Sequence, residues 1–284
     1  MKKPGVSFAQ PRPLIRWSVH AAIVILLTAL TQIGGLAWLA AMLLSRRFRG
    51  TRRAIAVLAM FVPLYGLGSA LASVVAPVFG RVPLPCLAEQ GATMHMQSML
   101  YCVLNRQYVV PELKTAALAL SAHMNSSFPG TTTLTLDGNF PFFDGFPLLP
   151  HLSHSDGRKL DIAFYYNDVA GVFRDGETRS PLGYFAFEQL REGAASPCEG
   201  RDDVVTMRWD LAALQSLWSP MALEEKRTSE AIRWLSDEGR AYGVAKIFVE
   251  PHLAERLGVS AETIKFQGCR AARHDDHIHI QVSK

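Results

Sequence analysis

The sequence predicts an α+β fold, a small antiparallel sheet with helices, preceded by two transmembrane helices. Three observations predict it. Two long runs near the start carry no Asp, Glu, Lys or Arg. Helix and strand patterns follow in mixed order, with no internal repeat and no low-complexity tract. Finally, His277-Ile278-His279-Ile280 alternates polar and apolar residues with the period of a strand.

The charge-free runs come first. Trp17 to Leu44 is 28 residues long and Ala54 to Phe79 is 26. About 20 apolar residues cross a bilayer, so both are expected to span one, at about 17–44 and 54–79. The first run is too long for a cleaved signal core. A pair of buried soluble helices is the weaker reading, because such long charge-free runs fit poorly into a water-soluble fold. The glycines and Pro63 are tolerated in membrane helices.

Between the runs lies an Arg-rich loop, Ser45 to Arg53, with five arginines in nine residues. That density favours the cytoplasmic side. Two crossings would then place both the N-terminus and residues 82–284 outside the cytoplasm. Lys2, Lys3, Arg12 and Arg16 oppose this for the N-terminus, but they are spread over sixteen residues. Residues 1–81 therefore read as a membrane anchor domain and 82–284 as an extracytoplasmic domain.

Charge divides the same way. Residues 1–81 hold ten Lys or Arg and no acid, leaving 19 basic and 25 acidic residues in 82–284. The overall +4 is therefore the sum of a basic anchor (10 − 0 = +10) and an acidic remainder (19 − 25 = −6), and the remainder has no basic tract for nucleic acid. All four cysteines, Cys86, Cys102, Cys198 and Cys269, follow the second run. An even count there suits disulfides in an oxidising compartment, with three pairings open. No pair has CxxC spacing.

Further elements follow in order. Gly80–Pro85 reads as a linker. Pro111–Ser127 reads as a helix opened by Pro111, with Leu113, Ala117, Leu118 and Leu120 as its apolar stripe. Thr131–Leu136 is β-branched and reads as a strand. Residues 137–150 are rich in Gly, Pro and Phe and must be irregular. Phe140, Phe142, Phe143 and Phe146 either line a groove or pack the loop onto the core, and packing is the better reading. Lys159–Tyr166 reads as a strand with Asp161 near its start, and 167–206 as loops. Asp210–Leu217 and Leu223–Tyr242 read as helices, Ala245–Val249 as a strand, Pro251–Leu257 as a short helix and Asp276–Val282 as a final strand.

Five of the nine histidines fall in two short stretches. One is His151-Leu152-Ser153-His154-Ser155-Asp156-Gly157-Arg158-Lys159-Leu160-Asp161, and the other is His274-Asp275-Asp276-His277-Ile278-His279. Imidazole and carboxylate are standard zinc ligands, and a catalytic zinc typically has three protein ligands and one water. One His and one Asp from the first stretch with one His from the second make that set. Such a zinc lowers the pKa of its water toward neutrality, which points to hydrolysis. The sheet is thus expected to carry a zinc site. On a strand His277 and His279 face one side while Ile278 and Ile280 anchor the other. Gly157 lets the chain turn from the His154 loop into the Asp161 strand.

These motifs resemble the zinc peptidase superfamily of lysostaphin-type enzymes, D-Ala-D-Ala peptidases and the hedgehog domain. The closest likeness is to the penicillin-insensitive murein endopeptidases. Their H-x-S-H-x-x-G-x-x-x-D motif is matched by His151, Ser153, His154, Gly157 and Asp161, and their HDDHxH by His274 through His279. Ala245–Pro251 is similar to the segment that precedes the latter motif. The likeness spans roughly residues 140–284, and the apolar runs are outside it. Lys159 stands where the murein endopeptidases have an acid, and Arg158 is more like the D-Ala-D-Ala peptidases.

The resemblance implies His154, Asp161 and His279 as zinc ligands. It implies His277 beside the metal as base or oxyanion stabiliser, with His274 or Asp276 as further proton-transfer candidates. His151, Ser153, Asp275 and Arg158 would support the ligands or meet substrate. The implied protein is a zinc metallopeptidase of the bacterial inner membrane, with its catalytic domain on the periplasmic side and peptidoglycan peptides as substrate. A D,D- or L,D-carboxypeptidase and a non-catalytic zinc-containing peptide-binding module are the alternatives. A subunit of a membrane complex is a third, since Gly34-Gly35 and Gly66-Leu67-Gly68 would allow close helix packing.

Overall fold

The computed structural model describes residues 13–191, 193–194, 196–199 and 211–283. Lys2, Lys3, Arg12, Gly200 and Asp210 therefore lie outside the described residues. The chain divides into two compact units, with the boundary after Leu71.

The first unit contains α1 (Pro13–Thr31), α2 (Gly34–Leu44) and most of α3 (Gly50–Val75). The first apolar run is not one helix. Trp38 Nε1 donates to His20 Nδ1 at 3.3 Å, whereas a continuous helix would separate residues 18 apart by about 27 Å. The chain therefore folds back at Gln32, which has φ 65°. Thr31 Oγ1 accepts from the Gly34 amide at 2.9 Å and closes the turn. Glycine at 35 permits the close approach of α2, since a Cβ there would lie 2.0 Å from Thr28 Oγ1 and 2.7 Å from the Val24 carbonyl. Trp38, Ala41, Met42 and Val57 form the small core of this unit.

The expected pair of transmembrane helices is met in part. Among the described residues one helical stretch, Gly50–Phe79, has the length and apolarity to cross a membrane. It consists of α3 and the 3₁₀ turn Ala76–Phe79.

The second unit continues with β1 (Val82–Pro83), β2 (Met94–Met96), α4 (Met99–Val103), β3 (Tyr108–Val109), α5 (Pro111–Ser127), β4 (Thr133–Thr135), β5 (Lys159–Ala163) and β6 (Tyr166–Asn167). After these come α6 (Ala212–Gln215), β7 (Ala222–Leu223), α7 (Glu225–Ser236), β8 (Val244–Phe248), α8 (Pro251–Arg256), β9 (Ile264–Lys265) and β10 (His277–Val282). The unit is α+β. Its main sheet runs β2-β4-β5-β10-β8-β9, antiparallel in the middle and parallel at both edges. Two small antiparallel ribbons, β1-β3 and β6-β7, flank it.

The register of β5 against β10 positions the site. Leu160 lies opposite Ile280 and Asp161 opposite His279. Opposed residues share a face. Leu160, Ile162, Ile278 and Ile280 are fully buried in a core shared with Leu113 and Leu120 of α5 and Ile232 and Leu235 of α7. Each such side chain contributes about 1.5–3 kcal/mol by burial, which fixes the register. Asp161, His277 and His279 occupy the opposite face of the same two strands.

Other expectations hold with adjusted ends. The helix over Pro111–Ser127 is found as read. Lys159–Tyr166 is split between β5 and β6, and Leu223–Tyr242 breaks at Asp237 into α7 and a 3₁₀ turn. Gly80–Pro85 is no free linker: Arg81 is buried, and Val82–Pro83 pairs with Tyr108–Val109. The cysteines form two disulfides, Cys86–Cys102 and Cys198–Cys269.

Candidate metal centre

His154 enters from the loop before Gly157. Its Nδ1 donates to the Gly138 carbonyl at 2.8 Å, which leaves Nε2 with a free lone pair. That Nε2 lies 3.1 Å from His279 Nδ1 and 3.4 Å from Asp161 Oδ1. His279 Nδ1 and Asp161 Oδ1 are 2.8 Å apart. A tetrahedral zinc with bonds of about 2.0–2.2 Å holds its ligand atoms about 3.3 Å apart. The three atoms therefore fit one small metal ion. Two triplets could each hold an ion, His151-His154-Asp161 and His274-His277-His279. The trio of His154, Asp161 and His279 joins members of both.

Burial and charge suit this use. All three residues are buried. Burial pushes the Asp161 carboxyl up, but His154, His277 and a bond from His151 overcome it and hold it well below the usual range. Burial pulls His279 down to about 4 against the opposing pull of Asp161. Near neutral pH the trio thus offers a carboxylate and a neutral imidazole, the states that bind metal.

His277 sits beside the trio, its Nε2 3.5 Å from Asp161 Oδ1. Its Nδ1 donates to Asp276 Oδ1 at 2.5 Å. The other oxygen of Asp276 accepts from the Phe185 amide at 2.6 Å. Burial pulls His277 down, but Asp161 and Asp276 raise it above its ordinary value. His274 lies near both strand histidines, tilted against His277 with ring centroids 5.0 Å apart and edge-on to His279 at 5.3 Å. Burial, then His277 and His279, drive His274 well below its ordinary value.

His151 closes the other side. Its Nδ1 lies 3.1 Å from Asp161 Oδ2 and 3.2 Å from Asp137 Oδ2. Those two carboxylates outweigh burial and raise it to about 10. Arg106 Nε lies 2.7 Å from Asp137 and balances its charge. A cleft of about 130 Å³ opens over the trio, walled by Pro150, Leu152, Ser153, Gln267 and Ala271. A second cavity of about 110 Å³, lined by Leu100, Leu104 and Leu182, shares Pro150 and His151 with it.

Two expected residues lie apart. Arg158 reaches the Ser283 carbonyl at 2.7 Å. Asp275 is buried against Arg273, which donates through Nε at 3.0 Å, and burial raises it to about 6. The sequence reading missed Tyr184. Its hydroxyl donates to Asp161 Oδ2 at 2.6 Å and accepts from the Asp137 amide at 3.1 Å. It lies in a loop-rich stretch with no periodic pattern, so nothing local marked it. The Gly138 carbonyl was missed for the same reason. No family model matches this chain, and no curated protein matches it.

Proposed function

We propose that this chain is a membrane-anchored zinc hydrolase that cuts peptide bonds of peptidoglycan outside the cytoplasm. One observation carries the hydrolase reading: the tetrahedrally spaced trio of His154, Asp161 and His279 beside an imidazole held by a carboxylate. A structural metal site needs no such extra proton carrier. The peptidoglycan substrate rests on the likeness of the two motifs to murein endopeptidases.

A zinc ion in the trio would supply Lewis acidity toward a carbonyl oxygen and lower the pKa of a water. The chain's own groups divide the remaining work. Asp276 fixes the Nδ1–H of His277, so its Nε2 is the atom that takes a proton from the attacking water. The same Nε2 returns it to the leaving amine as the C–N bond breaks. His151, cationic between two carboxylates, holds Asp161 in place together with Tyr184.

The membrane arrangement follows from Gly50–Phe79 and the arginines before it. With one crossing, residues 82–284 still lie opposite the Arg-rich loop and so outside the cytoplasm. Two disulfides suit the oxidising side.

The test mixes the detergent-solubilised chain with purified cross-linked murein, with and without a chelator, and reads products by mass spectrometry. Chelator-sensitive conversion of dimers to monomers is expected. Loss of a terminal residue alone would replace endopeptidase by carboxypeptidase, and no product from metal-loaded protein would overturn the proposal.

A further inference from the structure

The phenylalanines of the loop between β4 and β5 do not line the metal cleft, although Pro150, Leu152 and Ser153 of the same loop do. Phe140 is buried against Phe146, but Phe142 and Phe143 turn toward the end of the long apolar helix. Phe79, its last residue, meets Phe142 edge-on at 4.9 Å and Phe143 at 5.5 Å. The cluster is not a closed core. Phe143 is 61% exposed, Phe79 40% and Val78 83%. Phe143 also holds a positive φ of 42°, a strained conformation for a phenylalanine.

The loop is tied at both ends. Arg81, just after the helix, pairs with Asp144 at the loop tip. The Arg81 side chain also packs under Gly157, where a Cβ would lie 2.4 Å from its Nε. The Gly145 amide donates to the Ser155 carbonyl at 2.7 Å, inside the first metal motif. The loop thus links the end of the apolar helix to the segment carrying His154.

We propose that Phe142 and Phe143, with Val78 and Phe79, seat in the interfacial layer of the bilayer and hold the wall of the metal cleft at the membrane surface. The occupant follows from continuity, because the exposed patch begins where the apolar stretch Gly50–Phe79 ends. Phenylalanine and aliphatic side chains on the apolar face of an interfacial segment bury at the boundary between headgroups and acyl chains. The two charges beside the patch, Arg81 and Asp144, neutralise each other. The inference rests on Gly50–Phe79 as a span and not on the hydrolase chemistry.

The test labels full-length chain in phosphatidylglycerol–phosphatidylethanolamine vesicles with a nitroxide at Phe143→Cys, Val78→Cys or Glu177→Cys. The native cysteines among the described residues are all in disulfides. Collision with oxygen is compared with collision with a water-soluble nickel chelate. The ratio is expected to be several-fold higher at 143 and 78 than at 177. Equal ratios in protein that resists alkaline extraction would overturn the docking while leaving the span intact. Protection at 143 from both reagents would mean a protein cover and would also overturn it. Release by alkaline extraction would overturn docking and span together. No outcome depends on turnover.

Discussion

Replacing Asp161 by Asn separates the proposed zinc trio from the alternative triplet His274-His277-His279. The change is nearly isosteric, yet the surroundings dictate how the amide sits. Oδ2 accepts from Tyr184 at 2.6 Å and faces the His151 Nδ1 at 3.1 Å. Both groups are donors, so the asparagine carbonyl takes that position. Its NH2 then replaces Oδ1 and points at His154 and His279 with no lone pair to offer. One ligand is lost outright. Four-ligand structural zinc sites bind with about 10–16 kcal/mol, so one ligand's share is about 2.5–4 kcal/mol. At about 1.4 kcal/mol per tenfold, zinc affinity should fall about 10²–10³-fold. Competition with a chromophoric chelator measures this, with circular dichroism confirming the fold. The His274→Ala chain should bind zinc nearly as wild type. Affinity for D161N within tenfold of wild type, or a collapse in H274A, would refute the assignment.

Asp276→Asn should keep the metal but lower turnover about 10²–10⁴-fold, the usual worth of a positioned acid–base group. The Phe185 amide holds the asparagine carbonyl, so the NH2 faces His277 Nδ1 and moves the imidazole proton to Nε2; unchanged turnover would remove this pair from the mechanism. Gly157→Ala should destabilise the protein by about 1–3 kcal/mol, because φ is +70° and the new methyl meets Arg81. Calorimetry would check this, and R81A should relieve part of the loss. Relative to H279Q, metal-free protein should lose stability as pH falls from 7 to 5. The unfolded chain takes a proton near 6.5 that folded His279 refuses until about 4, so the depressed pKa costs stability as pH drops into that window. Measured against H279Q by urea unfolding, the extra loss should be about 2 kcal/mol; equal slopes would contradict it.

The legible parts were those that local chemistry decides. Pro111 opens α5, and its apolar stripe gave the helix its full length. The alternation in His277–Ile280 predicted which histidines share a face, and the register with β5 brought Asp161 opposite His279. The edge strands β2 and β9 are three and two residues long, too short for any period to register. Hydropathy reports composition and not direction, so it read 17–44 as one span. The reversal depends on Gln32 and on the glycines at 34 and 35, and glycines alone are common in membrane helices. Tyr184 and the Gly138 carbonyl act on Asp161 and His154 across long sequence separations. The cysteine pairing likewise depends on proximity created by the fold.

The most direct test of the zinc trio is X-ray absorption at the zinc edge on zinc-loaded full-length chain. The account expects one zinc per chain with two imidazole nitrogens and carboxylate or water oxygens at about 2.0–2.2 Å. The same measurement on D161N should show an altered shell from which the carboxylate oxygen is missing. Three imidazoles around zinc, unchanged in D161N, would place the metal on His274, His277 and His279 and contradict the account.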